Sequence, residues 1–380
     1  MQFSSNELYL LINSSRPLWL AKANLREAYL AETNLRDANL LEADLTGANL
    51  RGARLGGANL QKALFAEASL QEADLQGANL TGSQFVGADL RGANLSGAIA
   101  QGIDLGGANL VGAVLEGADL AGANLAEADL SGASLLGCNL AQAGLQGARL
   151  VQADLRQADM SDSDLAGATL AGANLAEARL GGASLTEAGL EEANFEGADL
   201  SAADLHGADA RQARFENANL AHASLQGANL SGASFAGGDL RHADLQGADL
   251  EGSSLALADM RGSDLRGAQL SEAVLSGTDL READLRKATL GKASLDDSTK
   301  LDPKWRLVWD VLTLGGEHRD LRGADLCEAD LRSAELEGAN LAGTTLAGAD
   351  LRWSNLHGVD LRGADLEGVN LQGANLEGAD

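Results

Sequence analysis

The sequence predicts an all-β solenoid, and three observations carry that prediction. Leucine, with few replacements, returns at every fifth position from Leu25 to Leu295, in units such as Ala43-Asp44-Leu45-Thr46-Gly47. Phenylalanine takes the leucine place at Phe65 and Phe85, and again at Phe195, Phe215 and Phe235, with twenty residues between members of each set. Proline is confined to Pro17 and Pro303, both outside the units.

A period of five suits neither regular element. On a helix, five residues overshoot a full turn by about 140°, so the leucines would spiral around it. On a straight strand, odd spacing sends successive leucines to opposite faces. The leucines share one core only if the chain bends once per unit and the resulting coils stack. The phenylalanine spacing sets four units per coil, because rings twenty residues apart then lie above one another; Phe195, Phe215 and Phe235 are expected in one core column. The position two before leucine is nearly always Ala, as a narrow interior requires. Gly recurs two after leucine (Gly47, Gly52, Gly57), where a tight turn favours positive φ. Asp or Asn just before leucine can bond nearby backbone at the corner.

Four segments follow. Residues 1–19 hold a short capping helix over 4–14, opened by Ser4 and Glu7 as a capping box, with Leu8, Leu11 and Ile12 on its apolar face. Residues 20–298 are the main run of repeats. Residues 299–318 carry an inserted amphipathic helix over 303–314. Asp302 stands as its N-cap, Pro303 as its first residue, and Trp305, Val308, Trp309 and Leu312 form one face ahead of Gly315. Residues 319–380 resume the repeat one residue out of step, from Leu321 to Leu376, so the helix is expected at the frame shift.

The Ala-(Asp/Asn)-Leu-x-x units resemble the pentapeptide-repeat family over residues 20–296 and 319–380. The resemblance implies a right-handed quadrilateral β-helix; the handedness comes from the resemblance and not from the spacing. Most members of that family have no known activity, and a minority mimic duplex DNA and bind DNA gyrase. The long run with its proline-started, Trp-bearing helix looks like many-repeat cyanobacterial members.

Composition narrows the function. The net charge is −27, which disfavours direct binding of nucleic acid. No stretch of 18 residues is apolar, so no membrane span is expected. Residues 1–20 lack a basic start followed by a clean apolar run, which argues against a secretory signal. Inward Cys138 and outward Cys327 cannot meet inside one stack, in keeping with a reducing, cytoplasmic setting. The five histidines show no metal-ligand spacing beyond the pair His222 and His242, and the serines have no histidine in register. No cofactor and no enzymatic activity are expected.

Charge is the remaining functional signal. Residues 101–200 hold fifteen acidic and three basic side chains, a net of −12. Over about five coils that approaches the charge density of duplex DNA. Asp154, Glu177, Glu191 and Glu196 stand for this acidic surface. Arg241, Arg261 and Arg281, twenty residues apart, should form a basic column beside Asp239, Asp259 and Asp279. That ladder reads as mutual screening or as a docking strip. The first functional reading is a non-enzymatic acidic scaffold for an unknown protein partner. The alternative is a DNA mimic acting on DNA gyrase or another DNA-binding protein through the middle of the stack. Leu361, Leu366, Leu371 and Leu376 have no following helix to cover them, and Trp353 should point outward nearby. The last coils are therefore expected to be a contact surface, including for a homodimer, or a truncation, the alternative being a frayed end that water satisfies.

Overall fold

In a unit with Asp or Asn before its leucine, every backbone N–H has its own destination. In the unit Ala43–Gly47, the Ala43 N–H donates to the Leu40 C=O at 3.0 Å and closes a turn. The Asp44 N–H donates at 2.9 Å to Ala23 in the coil before. The Leu45 and Gly47 N–H groups donate at 2.7 and 2.9 Å to Leu64 and Ala66 in the coil after. The fifth, on Thr46, reaches Asp44 Oδ1 at 3.1 Å. With all five committed, a proline anywhere in the unit would orphan an acceptor, which explains its exclusion.

The computed structural model describes residues 18–380 together with Leu10, and the chain divides into two compact units, 1–209 and 210–380. The expected capping helix over 4–14 lies, apart from Leu10, outside the described residues. In the first unit the bridges are all parallel and all join residues twenty apart, from Trp19 with Asn39 to Gly189 with Asp209. The leucine and alanine places are buried, and each buried leucine contributes roughly 1.5–3 kcal/mol. Phe65 and Phe85 stack with centroids 4.3 Å apart, and Phe195 is fully buried. In the second unit Phe215 and Phe235 stack at 4.8 Å with planes 2° apart.

The corner demands more than glycine. The residue two after leucine has positive φ whatever its identity: +62° at Gly117 and +59° at Glu127. For an L-residue that conformation costs about 1–2 kcal/mol, offset by the inter-coil bond the same residue makes. No Val, Ile or Thr takes this conformation among the described residues, because a branched Cβ adds crowding there.

The second unit contains the irregular part. The frame shift does not sit at the helix, as the spacing suggested. It is one extra residue at the corner before it: Lys300 pairs with Asp279, twenty-one residues away. Asp296 holds this widened corner. Its Oδ1 accepts the N–H groups of Gly277 at 3.1 Å and of Ser298 and Thr299 at 3.0 Å. From Leu301 to Leu321 the count is again twenty. Helix α1, Pro303–Leu314, occupies chain that would otherwise form ordinary units.

The second run also begins earlier than its first leucine. Gly316 and His318 donate to Glu335 and Glu337, both at 2.9 Å, in the pattern of a leucine and the residue two beyond it. Gly316 thus stands in a leucine slot. A Cβ there would lie 2.7 Å from Leu336 Cδ2 and 3.3 Å from Val311 Cγ1; α1 supplies the apolar filling.

Two details of α1 differ from expectation. Asp302 occupies the N-cap position but its side chain makes no capping bond. The buried face is Trp305, Val308 and Val311, while Trp309 and Leu312 are half-buried. The Trp309 indole N–H reaches the Ala293 C=O at 2.8 Å, holding that ring at the edge of the packed face. Lys304 Nζ meets Asp325 Oδ1 at 3.1 Å, so α1 is tied to the runs on both sides of it. Among the described residues no helix is long and apolar enough to cross a membrane.

Leu155 is fully buried. Leu155→Lys should lower stability by several kcal/mol through an unpaired buried charge, seen as a clear drop in the thermal midpoint. An unchanged midpoint would contradict its inward placement.

Candidate interaction surfaces

Because backbone and core are committed, chemical variety is left to three outward places per unit: the residue before leucine and the two after it. The acidic stretch 101–200 lies within the first unit. By the register Asp154–Asn174–Asn194, Asp154, Glu177 and Glu196 lie on one side of successive coils but at three different outward places, and Glu191 belongs to another side, through Thr169–Gly189.

Asp154, however, is engaged. Arg156 grips it with Nε to Oδ1 at 2.8 Å and Nη2 to Oδ2 at 2.7 Å, and these bonds hold its carboxyl below the usual range. Glu177 accepts a bond from Gln157 Nε2 at 2.9 Å. The other two cations of the stretch also face aspartates, Arg149 to Asp129 at 3.8 Å and Arg179 to Asp159 at 3.4 Å. Several corner carboxylates carry turn bonds: Asp119 Oδ1 accepts the Ala121 N–H at 3.2 Å and Asp199 Oδ1 that of Ser201 at 3.1 Å.

In the second unit the arginine column forms. Arg241, Arg261 and Arg281 each clasp the aspartate two residues back, with Nε to Oδ1 at 2.8 Å in all three. Arg241 Nε also lies 3.8 Å from Asp259 Oδ2 of the next coil. Arg266 and Arg286 repeat the arrangement on Asp264 and Asp284. These arginine bonds are the main cause holding Asp239, Asp259, Asp264, Asp279 and Asp284 below the ordinary carboxylate value, and Lys300 adds to the effect on Asp279. The geometry is that of charges screening one another.

The same clasp recurs at Asp320–Arg322, Asp330–Arg332, Asp350–Arg352 and Asp360–Arg362, pairs the sequence reading did not single out. The signal was available. Wherever Asp-Leu-Arg or Asp-Met-Arg occurs among the described residues, aspartate and arginine pair in this way. Their side chains flank an inward leucine or methionine and emerge on the same outer surface.

Trp353 is 57% exposed, as expected, but it is not a free-standing anchor. The Arg352 guanidinium lies 5.2 Å from its ring centroid, and a Cβ on Gly373 would come within 2.6 Å of Trp353 Cδ1. The ring therefore lies along its own surface. His222 and His242 stack with centroids 5.2 Å apart. Among the described residues no group of three or more His, Cys, Asp or Glu side chains is placed to hold a metal ion. Cys138 is buried, and that burial pushes its thiol up to about 12; Cys327 is half-buried.

These stacked five-residue units define a repeat protein whose outer surface varies over a constant frame. A family model described as pentapeptide repeats matches successive stretches across residues 23–299 and 317–380, and the chain belongs to the pentapeptide-repeat family. Solved structures similar to it include HetL, a pentapeptide repeat protein involved in heterocyst differentiation regulation from the cyanobacterium Nostoc sp. strain PCC 7120. It is 34% identical, covering 62% of this chain and 92% of that one, with a TM-score of 0.32. QnrB1, a plasmid-mediated fluoroquinolone resistance protein, is 17% identical over 65% of this chain and 91% of its own, with a TM-score of 0.22. Rfr23 from the cyanobacterium Cyanothece 51142 is 28% identical over 34% and 64%, with a TM-score of 0.15. A search of curated proteins found no match.

The clasped aspartates stabilise the fold above their ordinary value of 3.8, and that contribution is lost as pH falls through the depressed values. Asp296, lowered to about 2 chiefly by its bond from the Ser298 hydroxyl, belongs to the same window. The thermal midpoint should fall between about pH 4 and about pH 2. Asp279→Asn should lower the midpoint at neutral pH, with the difference from wild type narrowing at the acid end. A thiol reagent at mildly alkaline pH should modify Cys327 and spare Cys138 until the chain is denatured; labelling of Cys138 in the native protein would contradict its burial.

Proposed function

We propose that this chain is a non-enzymatic, acidic interaction scaffold of the cytoplasm, built of right-handed coils with four pentapeptide sides. The observation that carries this reading is the division of labour within the unit. Three of five side chains face outward, and four of the five backbone donors of a regular unit are committed to carbonyls of the stack. The outward columns differ in charge, from the acid-rich stretch 101–200 to the neutralised Arg–Asp ladders, which suits a partner protein that reads a charge pattern. The two repeat runs, 20–298 and 319–380 as the sequence divides them, with the segment 299–318 between, are taken as its presenting surfaces.

One observation favours a second reading, mimicry of DNA toward DNA gyrase or another DNA-binding protein. All three cations of residues 101–200 pair with aspartates of the same stretch, and its fifteen acids outnumber them by twelve. The pairing of Asp154 weakens the reading by removing one of its members.

Replacing Glu177, Glu191 and Glu196 together with Lys separates the two. If the acidic stretch is the contact, the triple variant should lose a partner captured from native cytosol by at least about tenfold, with steep salt dependence in the wild type. Arg241→Glu with Arg261→Glu should leave that capture intact. Under the mimic reading the wild type, and not the triple variant, inhibits gyrase supercoiling at micromolar concentration. Equal capture by wild type and triple variant would overturn the assignment to this stretch.

A further inference from the structure

Beside α1 the stacked ladder of the second unit opens. In a regular coil the leucine N–H donates forward, as Leu250 does to Gln269 at 2.8 Å, and the residue before leucine donates backward, as Thr289 does to Ala268 at 3.0 Å. At Leu290 the forward partner is missing, because α1 has replaced the chain that would carry it. At Asp330, in the first coil of the second run, the backward partner is missing. Among the described residues the Leu290 and Asp330 N–H groups have no acceptor and the Ala288 C=O receives no bond.

On the neighbouring column the Leu285 and Asp325 N–H groups also have no acceptor among the described residues, but there one bond joins the two runs, from the Lys287 N–H to the Glu328 C=O at 2.8 Å. The gap is therefore a wedge pinned at Lys287, with the cleft beside Leu290. It forms a cleft of about 260 Å³ lined by Thr289, Leu290, Leu312, Asp330, Ser333 and Trp353, among others. Leu312 of α1 borders the space that a core leucine of the missing unit would otherwise fill. Hydroxyls of Ser271, Thr289 and Ser333 give the rim its polarity. Asp330, only 7% exposed, is already neutralised by Arg332, with Nη2 to Oδ2 at 2.6 Å.

We propose that this cleft is a strand-addition site for a short extended peptide with small polar side chains, contributed by a partner protein. Donors stand on both walls of the wedge, so the occupant must present acceptors in two opposite directions. An extended backbone does this with successive carbonyls. A charged peptide is disfavoured because the Asp330–Arg332 pair in the cleft is satisfied internally, and small polar side chains are favoured because the hydroxyls of Ser271, Thr289 and Ser333 line the rim. The site is distinct from the outward charge columns, so it stands or falls separately from them.

The test uses the full-length protein, isotope-labelled, titrated with acetyl-Gly-Asn-Gly-amide to about 10 mM, a range suited to a contact of only two or three residues. The amide signals of Leu290 and Asp330 and the Trp353 indole signal should shift together and saturate. Gly291→Phe should weaken binding at least about tenfold; an added Cβ at Gly291, on the cleft rim, meets nothing within 4 Å, so the fold should tolerate it. Ser271→Phe, one coil back on the same wall as Gly291, also crowds the cleft and serves if the first variant unfolds. Ser276→Phe, at an equivalent outward place on another side of the coil, should bind as wild type. Absence of shifts at 10 mM, shifts spread evenly over the coils, or equal binding by both cleft variants would overturn the proposal.

Discussion

The structure depends on one constraint: four of the five N–H groups of a unit bond to carbonyls, and only one of those four does so locally, while the fifth finds an acceptor where Asp or Asn precedes the leucine. Three leave the unit for the coil before or after. A single coil therefore cannot stand alone, and each added coil both supplies and consumes the same set of bonds. The sequence regularities follow from that accounting. Proline is excluded, Asp or Asn is placed to receive the N–H two residues on, and glycine or another residue without a branched Cβ takes the positive-φ corner. Leucine and alanine do no more than fill the interior so created.

The same accounting explains why charge organises as it does. Outward places recur in columns with the spacing of stacked coils, so any charged type that repeats every twenty residues faces its own copy. Asp239, Asp259 and Asp279 would repel along their column. An arginine two residues after each removes the difficulty within the unit, and the 3.8 Å approach of Arg241 to Asp259 extends it between units. Where arginine is scarce, as in residues 101–200, the acidic surplus remains as a field.

Much of the frame was legible from spacing alone. Phe65 with Phe85 and Phe215 with Phe235 announce the stacking distance, and Pro303 announces the helix. Three features were hidden, each because its cause is not periodic. The extra residue near Asp296 carries no leucine to mark it, so the shift looked as if it belonged to α1. Gly316 does not look like a core position, since its slot is filled from Val311, a residue distant in register. Asp302 has the right type for a cap, yet the bonds it makes depend on a rotamer that type alone does not decide. Of the candidate surfaces, the arginine column was readable from spacing, but the engagement of Asp154 was read only once Arg156 was seen beside it. The open wedge at Leu290 had no sequence signature, because it is defined by which bonds are missing.

The widened corner at Asp296 has a consequence for how such chains change length. One additional residue is absorbed where a single carboxylate gathers three N–H groups, and pairing resumes at Lys300 as if nothing had intervened. Corners are thus places where an insertion is forgiven, whereas the same insertion beside a leucine would turn that leucine outward and disturb every later coil. Lineages built on this plan should accumulate insertions and deletions of one residue only at corners bearing an Asp of this kind, and should otherwise grow or shrink by whole multiples of the unit.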